Sequence, residues 1–276
     1  MKALIISDLH QRAIMAHNIV ITDGDNVDKV IFLGDYFDNW VETDTDVKNM
    51  AEWVAANVMD KKNIFLLGNH DLSYAFPQNK ATICPGYTPE KLKIIREILN
   101  ESHFERMRFS YAIDGLLFSH AGVTDSLIPL GVNPFEWLKV NAEDALRKLR
   151  MSLGDDNPLL AAGWSRGGRK PYGGIFWEDH SAHLPIRGLK QIYGHSILKQ
   201  PQYRLRKKES HRAFPAEALV TDEFECMVLD KQLYEYDWSL CIDTNNQHYV
   251  IVDTKEKTLT FKSTQTWQIL KVQQYK

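Results

Sequence analysis

Val30-Ile31-Phe32-Leu33-Gly34-Asp35-Tyr36-Phe37-Asp38 is the stretch on which the fold turns. Four consecutive large apolar residues make a run too short for a helix and too uniform for a half-exposed strand, so it reads as a strand covered on both faces. Gly34 ends the run, and two carboxylates follow closely. The same order of residue types stands on either side. Ala3–Ser7 (ALIIS) leads into Asp8-Leu9-His10, and Ile64–Leu67 (IFLL) leads into Gly68-Asn69-His70-Asp71. Between the second and third runs, Asp44–Asp60 carries Val47, Met50, Ala51, Val54 and Val58 at helical spacing. Strand, helix and strand of these lengths predict βαβ units and an at least partly parallel sheet, where ligands gather beyond the carboxyl ends of the strands.

Farther along, Pro89–Asn100 reads as an amphipathic helix with Leu92, Ile95 and Leu99 on one face. Phe109–Ile113 and Leu116–Ser119 predict a hairpin about Asp114-Gly115, a favourable tight-turn pair, and the second strand runs into His120-Ala121-Gly122. Pro134–Leu153 predicts a helix stopped by Gly154-Asp155-Asp156-Asn157-Pro158. Gln191–Tyr193 is a short strand before Gly194-His195-Ser196, and Trp238–Ile242, Tyr249–Val252 and Thr258–Phe261 predict a terminal antiparallel meander. Gly163–Gly174 reads as a surface loop rich in Gly and Arg. Arg204–Arg212 (RLRKKESHR) reads as a solvated basic loop. It lies in a long connection, 197–237, taken as an insertion or lid on a single domain of residues 1–276, because long loops in compact domains are often functional.

Bulk properties narrow the classes. With 276 residues, 44% hydrophobic and 25% charged, the chain has the composition of a soluble globular protein with a sizeable core. Thirty-three basic against 36 acidic residues leave a net charge of −3, so there is no global basic field to gather nucleic acid. No apolar run approaches the roughly 20 residues that span a bilayer. Met1–Ile6 reads straight into a strand rather than a signal peptide. Cys84, Cys226 and Cys241 are widely spaced without a CxxC pattern, which favours reduced thiols and a cytoplasmic setting.

The residues that close the strand-like runs are metal ligands by type. Asp8 and His10, one residue apart, face the same side of an extended chain. Asp35 can bridge two ions through its two oxygens, and Asn69, His120 and His195 complete a second site. Mixed carboxylate, amide and imidazole ligands favour Mn²⁺, with Fe or Zn²⁺ behind it, over Mg²⁺. Two divalent ions about 3.5–4 Å apart activate water and clamp a phosphoryl group. Any of these motifs alone has a bland explanation as a turn, a cap or a satisfied histidine. All five in order, each after a strand-like run, do not.

The ordered set DxH, GDxxD, GNHD, HAG and GH resembles the calcineurin-like metallophosphoesterase superfamily, over about two-thirds of the chain. The resemblance implies two mixed β-sheets packed as a sandwich and flanked by helices. It implies one metal held by Asp8, His10 and Asp35, a second held by Asp35, Asn69, His120 and His195, and a metal-bridging hydroxide that attacks phosphorus. His70 would donate the proton to the leaving alkoxide with Asp38 orienting it, and an imidazole paired to a carboxylate suits that task. Asp71 is expected in a supporting or capping role. The residue two beyond His195 is Ile197, where nuclease-like members carry a further His. The pattern is therefore more similar to the serine/threonine phosphatase branch, which includes symmetrical bis(5′-nucleosyl)-tetraphosphatases. Those groups also carry an Arg soon after GDxx, and here Asn39-Trp40 follow Asp38. Arg12, Arg166 and Arg169 are the candidates to bind phosphate instead. Ile175–Asp179 faintly resembles the family's WSDP region, and Asp243-Thr244 an element near its last core strand, expected to be structural. The expected activity is hydrolysis of a phosphate monoester on a phosphoprotein or small molecule, with a nucleotide pyrophosphohydrolase as the alternative and a non-catalytic scaffold as the remote one.

Overall fold

A computed structural model describes residues 1–153, 157–207, 210–217, 226–228 and 236–264. Its frame is two six-stranded sheets. The first is built on β1 (Lys2–Ile6), β2 (Lys29–Phe32) and β3 (Asn63–Phe65), mutually parallel, and continues through β11 (His248–Asp253), β12 (Thr258–Ser263) and β9 (Cys226–Val228), each antiparallel to its neighbour. The second has β5 (Leu116–Ser119), β6 (Lys190–Tyr193) and β10 (Tyr236–Cys241) mutually parallel, with β4 (Ser110–Ile113) on one edge and β7 (Gln202–Lys207) then β8 (Phe214–Glu217) on the other.

Alternation of side chains along the strands assigns the faces. Ala3, Ile5, Ile31, Ile64 and Val250 from the first sheet meet Phe118, Ile192, Leu205, Trp238 and Leu240 from the second in one buried cluster between the sheets. The alternate residues, Leu4, Ile6, Val30, Phe32 and Phe65, pack outward against helices. These are α1 (Ala13–Asp23), which joins β1 to β2, and α2 (Asp44–Val58), which joins β2 to β3. The expected sandwich of two mixed sheets flanked by helices is therefore the architecture observed. Helix α2 starts where Thr43 and Asp46 cap each other reciprocally, Thr43 Oγ1 accepting from Asp46 N and Asp46 Oδ2 from Thr43 N. The Asp114-Gly115 turn has both residues at positive φ, 48° and 80°, as the two-residue hairpin requires. Pro89–Asn100 resolves into α4 (Pro89–Ile98), after α3 (Asn69–Ala75) and before α5 (Glu101–Arg106). The long helix α6 covers Pro134–Arg150; of its expected stop at 154–158, residues 154–156 lie outside the described residues.

Two expectations need correction. The last strands form no meander: β11 and β12 are a hairpin in the first sheet, but β10 pairs with β6 and β7 in the second. The basic run is not wholly a loop, because Arg204–Lys207 belong to β7. Arg206 there is only 1% exposed, and pairs with Asp125 at 2.9 Å and Asp237 at 3.4 Å. Within 197–237, the described residues include β7, β8 and the start of β10 in the second sheet and β9 in the first, and the remainder lies outside the described residues. Helix α1 had no forecast. Arg12 makes no side-chain cap, and Ile14 and Ile21 are exposed, so the apolar residues ring the helix instead of marking one face.

Candidate metal centre

Because β1, β2 and β3 run parallel, their carboxyl ends release Asp8, Asp35 and Asn69 at one edge of the first sheet. Parallel β5 and β6 release His120 and His195 at the matching edge of the second. Backbone hydrogen bonds lock the loops together: His10 N donates to Asp35 O at 2.8 Å and Gly194 N to His120 O at 2.7 Å. The loops fold tightly. Asp8, His10, Asp35, Asp38 and His195 all have φ between 39° and 68°, a left-handed conformation that residues other than glycine seldom adopt. Such strain concentrates where a site is over-determined by its surroundings. The glycines admit close approach instead: a Cβ on Gly34 would stand 2.4 Å from Gly68 N.

Two groups of ligand atoms result. Asp8, His10 and Asp35 form one, Asp35, His120 and His195 the other, each with its atoms within 4.8 Å of one another and Asp35 common to both. Asn69 Oδ1 lies 2.9 Å from His120 Nε2. The imidazoles are aimed by their other nitrogens or neighbours. His10 Nδ1 is 2.7 Å from Asp38 O, and His120 Nδ1 is 3.0 Å from Leu33 O, so both turn Nε2 inward. His195 presents Nδ1, 3.0 Å from His120 Nε2, while its own N donates to the Asp8 carboxylate at 3.0 and 3.1 Å.

Burial sets the electrostatics of these candidate ligand groups. Burial, then Asp243 and Asp35, push Asp8 well above the usual carboxylate range. Burial would do the same to Asp35, but His120 foremost, with His70, His10 and His195, holds it low. Burial drives His120 and His195 below the ordinary histidine value, leaving neutral imidazoles with lone pairs to share. Buried carboxylates crowded against neutral imidazoles fit divalent ions that carry the missing positive charge.

His70 follows Asn69 on α3, and its N donates to Asp35 Oδ1 at 3.0 Å. Its Nδ1 is 3.1 Å from Asp38 Oδ2. Burial opposes its charged form, yet Asp35 and Asp38 outweigh burial and raise it to about 9. Asp71, fully buried, accepts from Gly68 N, Asp35 N and Tyr36 N at 2.8–2.9 Å, the supporting part expected of it.

All eight residues expected as ligands or proton-transfer groups, Asp8, His10, Asp35, Asn69, His120, His195, His70 and Asp38, therefore converge. The arginines divide. Arg12 is half-buried, donates to Asn245 Oδ1 at 2.8 Å, and keeps a buried Nη1 without a hydrogen-bond partner among the described residues. Arg166 donates to Ser196 Oγ at 2.9 Å and pairs with Asp179 at 3.0 Å, one residue from His195. Arg169 is exposed and shares none of these contacts. Ile197 is 70% exposed.

Several supporting residues escaped the sequence reading. Tyr74 Oη donates to Asp38 Oδ1 at 2.5 Å, and Lys91 pairs with Asp38 and Glu42. Cys84 Sγ lies 3.5 Å from Asn69 Nδ2 and donates to Asn69 O at 3.1 Å, turning Oδ1 toward His120. Asn246 Nδ2 donates to Asp8 O at 2.7 Å. Asp243, expected to be structural, is buried beside Asp8, and burial together with Asp35 raises it to about 6. A signal for it existed, since an apolar strand ending in Asp repeats the pattern of the first two motifs.

The model of the calcineurin-like phosphoesterase family matches residues 1–198. The chain belongs to that family and is a metallophosphoesterase. No curated protein sequence matches it. Similar solved structures include a metallophosphoesterase from Sphaerobacter thermophilus, 16% identical over 95% of this chain and 88% of that one, with a TM-score of 0.47. A protein serine/threonine phosphatase from Saccharomyces cerevisiae is 12% identical over 95% and 80%, with a TM-score of 0.48. A structure described as a putative diadenosine tetraphosphatase is 11% identical over 94% and 92%, with a TM-score of 0.44.

Proposed function

We propose that the chain hydrolyses a phosphate monoester, on a phosphoprotein or a small molecule, with two divalent ions whose candidate ligand groups share Asp35. Asp8, His10 and Asp35 would hold one ion, and Asp35, Asn69, His120 and His195 the other; the mixed oxygen and imidazole donors favour Mn²⁺ ahead of Fe or Zn²⁺. Such a pair, when bound, supplies Lewis acidity toward water and the phosphoryl oxygens. Carrying the reading is the placement of His70, directly after one candidate ligand and hydrogen-bonded to the bridging Asp35. Asp38 takes its Nδ1, so Nε2 is the ring atom left to hand a proton to the departing oxygen. Tyr74 and Lys91 keep Asp38 still, which keeps the imidazole in register. Arg12, whose Nη1 has no hydrogen-bond partner among the described residues, and Arg166, bonded to Ser196 immediately after His195, are the groups proposed to meet the phosphate.

We further take residues 1–276 as one catalytic domain, with 197–237 influencing substrate choice, acting in the cytoplasm without nucleic acid or membrane as partner. Support for the compartment is that Cys84 and Cys241 are buried free thiols, and that no helix among the described residues is long and apolar enough to cross a membrane.

The test is hydrolysis of an aryl phosphate after chelation and on return of Mn²⁺, with His70→Asn alongside. The expected result is recovery with Mn²⁺, and a loss in His70→Asn of about 10²–10⁴-fold in turnover at unchanged metal content. Metal loss in that variant would remove His70 as the acid. Faster turnover of a dinucleotide polyphosphate than of any monoester would move the activity to pyrophosphate cleavage.

A further inference from the structure

Trp40 stands at the mouth of the cleft and takes no part in the chemistry above. It is 73% exposed, and Val41 beside it is 85% exposed. A single exposed apolar residue is ordinary. What sets Trp40 apart is that it is both exposed and fixed. Its N donates to Asn39 Oδ1 at 2.7 Å, and Asn39 Nδ2 donates to His10 O at 3.3 Å, which ties the residue to the loop of a candidate ligand. One edge of the indole rests on Gly86, where an added Cβ would stand 3.3 Å from Trp40 Cζ3 and 2.9 Å from Asp38 Cβ. Gly86 O accepts in turn from Lys91, the same side chain that pairs with Asp38. The ring lies 6.2 Å from the His70 imidazole at 63°. An indole held on one edge, next to the proton donor and otherwise open, is a platform.

Its position says which part of a substrate it meets. The cleft opens here, since the His10 and His70 side chains keep 24% and 13% of their surface exposed. The group esterified to phosphate leaves from the oxygen that His70 protonates, so it must lie against or beside Trp40. An aromatic ring bonded directly to that oxygen would offer Trp40 a partner for the attraction that ring pairs show at roughly 4.5–7 Å between centroids. An alkyl ester such as phosphoserine offers no ring, and a 5′-nucleotide places a ribose there, with its base farther out.

We propose that Trp40 is the leaving-group platform of this cleft and selects phosphomonoesters of an aromatic alcohol, a phosphotyrosyl side chain or a small aryl phosphate, over those of alkyl alcohols. This rests on the monoesterase reading with His70 at the leaving oxygen. No new bond is invoked: the P–O(aryl) bond breaks as in the parent reaction, and the ring only binds.

The experiment compares kcat/KM of the Mn²⁺-loaded wild type, Trp40→Ala and Trp40→Phe on free phosphotyrosine, a phosphotyrosyl peptide and the matching phosphoseryl peptide. The intrinsic reactivity of each ester cancels between variants. In Trp40→Ala the ratio of aryl to alkyl kcat/KM is expected to fall about tenfold, the scale of one aromatic pair, in both aryl arms, and in Trp40→Phe to recover most of that. Inhibition by phenylphosphonate should weaken by a similar factor relative to methylphosphonate. The larger wild-type value between the two aryl arms identifies the source. An unchanged ratio, or a loss confined to the peptide, overturns the platform while leaving the monoesterase reading in place. A wild type that hydrolyses none of the three esters overturns both.

Discussion

Gly194→Ala isolates the packing on which the centre depends. A Cβ at Gly194 would stand 2.0 Å from Asp8 Oδ2 and 3.1 Å from Ser7 Cβ, where ordinary contact begins at 3.4 Å. The Asp8 carboxylate must therefore retreat or the 194–195 backbone must swing out. Either movement breaks the bonds that His195 N makes to both Asp8 oxygens, and so disturbs one residue of each ligand group at once. A misplacement of about 1 Å is worth roughly 10²-fold in rate, and a lost hydrogen bond to a charged group about 1.5–3 kcal/mol. The expected outcome is a fall in kcat/KM on an aryl phosphate of about 10²-fold, with weakened uptake of at least one ion in a metal titration. Gly188→Ala is the control, because no atom of the described residues lies within 4 Å of its Cβ. Its φ of 70° makes it lose about 1–2 kcal/mol of stability at normal activity. If Gly194→Ala keeps kcat/KM within twofold and binds metal normally, the assignment of Asp8 and His195 to one centre is wrong.

Three further outcomes are expected. Tyr74→Phe removes the hydroxyl that fixes Asp38 and should lower kcat roughly tenfold at unchanged metal content, read by steady-state kinetics with elemental analysis. Burial, with Asp179 nearby, raises Glu178 to about 8, against the hydrogen bond that Gly173 N donates to it at 2.6 Å. The folded chain thus keeps a proton that the unfolded chain gives up above its ordinary value of 4.5, so the stability tied to Glu178 is complete at acid pH and drains away as pH rises toward 8. Wild type should then lose a few kcal/mol relative to Glu178→Gln between about pH 5 and 9 in urea unfolding. Arg206→Met should cost about 3–5 kcal/mol by leaving Asp237 buried without its partner, and adding Asp237→Asn should recover part of it, in the same unfolding assay.

The strand-then-ligand pattern made the centre readable because each motif is local: an apolar run, a glycine and a polar group within a few residues. The supporting residues are not local in that sense. Tyr74 and Lys91 reach Asp38 from 36 and 53 residues away, and Asn246 reaches Asp8 from 238. Nothing in their own neighbourhoods marks them. Arg206 misled for a related reason. A basic run looks solvated until Asp125 and Asp237, far off in the chain, are brought around it.

From its residues alone, this chain determined the parallel strands β1–β3, the ligand types at their ends and hence the class of reaction, since pleat alternation and strand length are short-range properties. Tertiary structure decided strand partnership. Trp238–Ile242 and Tyr249–Val252 are equally apolar and close in sequence, so proximity favours a hairpin. The folded chain instead sends β10 across the sandwich to lie parallel to β6. That choice places Asp243 at the same end as His195, beside Asp8, and Asn246 against the Asp8 carbonyl. It depends on burying Trp238 and Leu240 between the two sheets, a gain that exists only once both sheets are present.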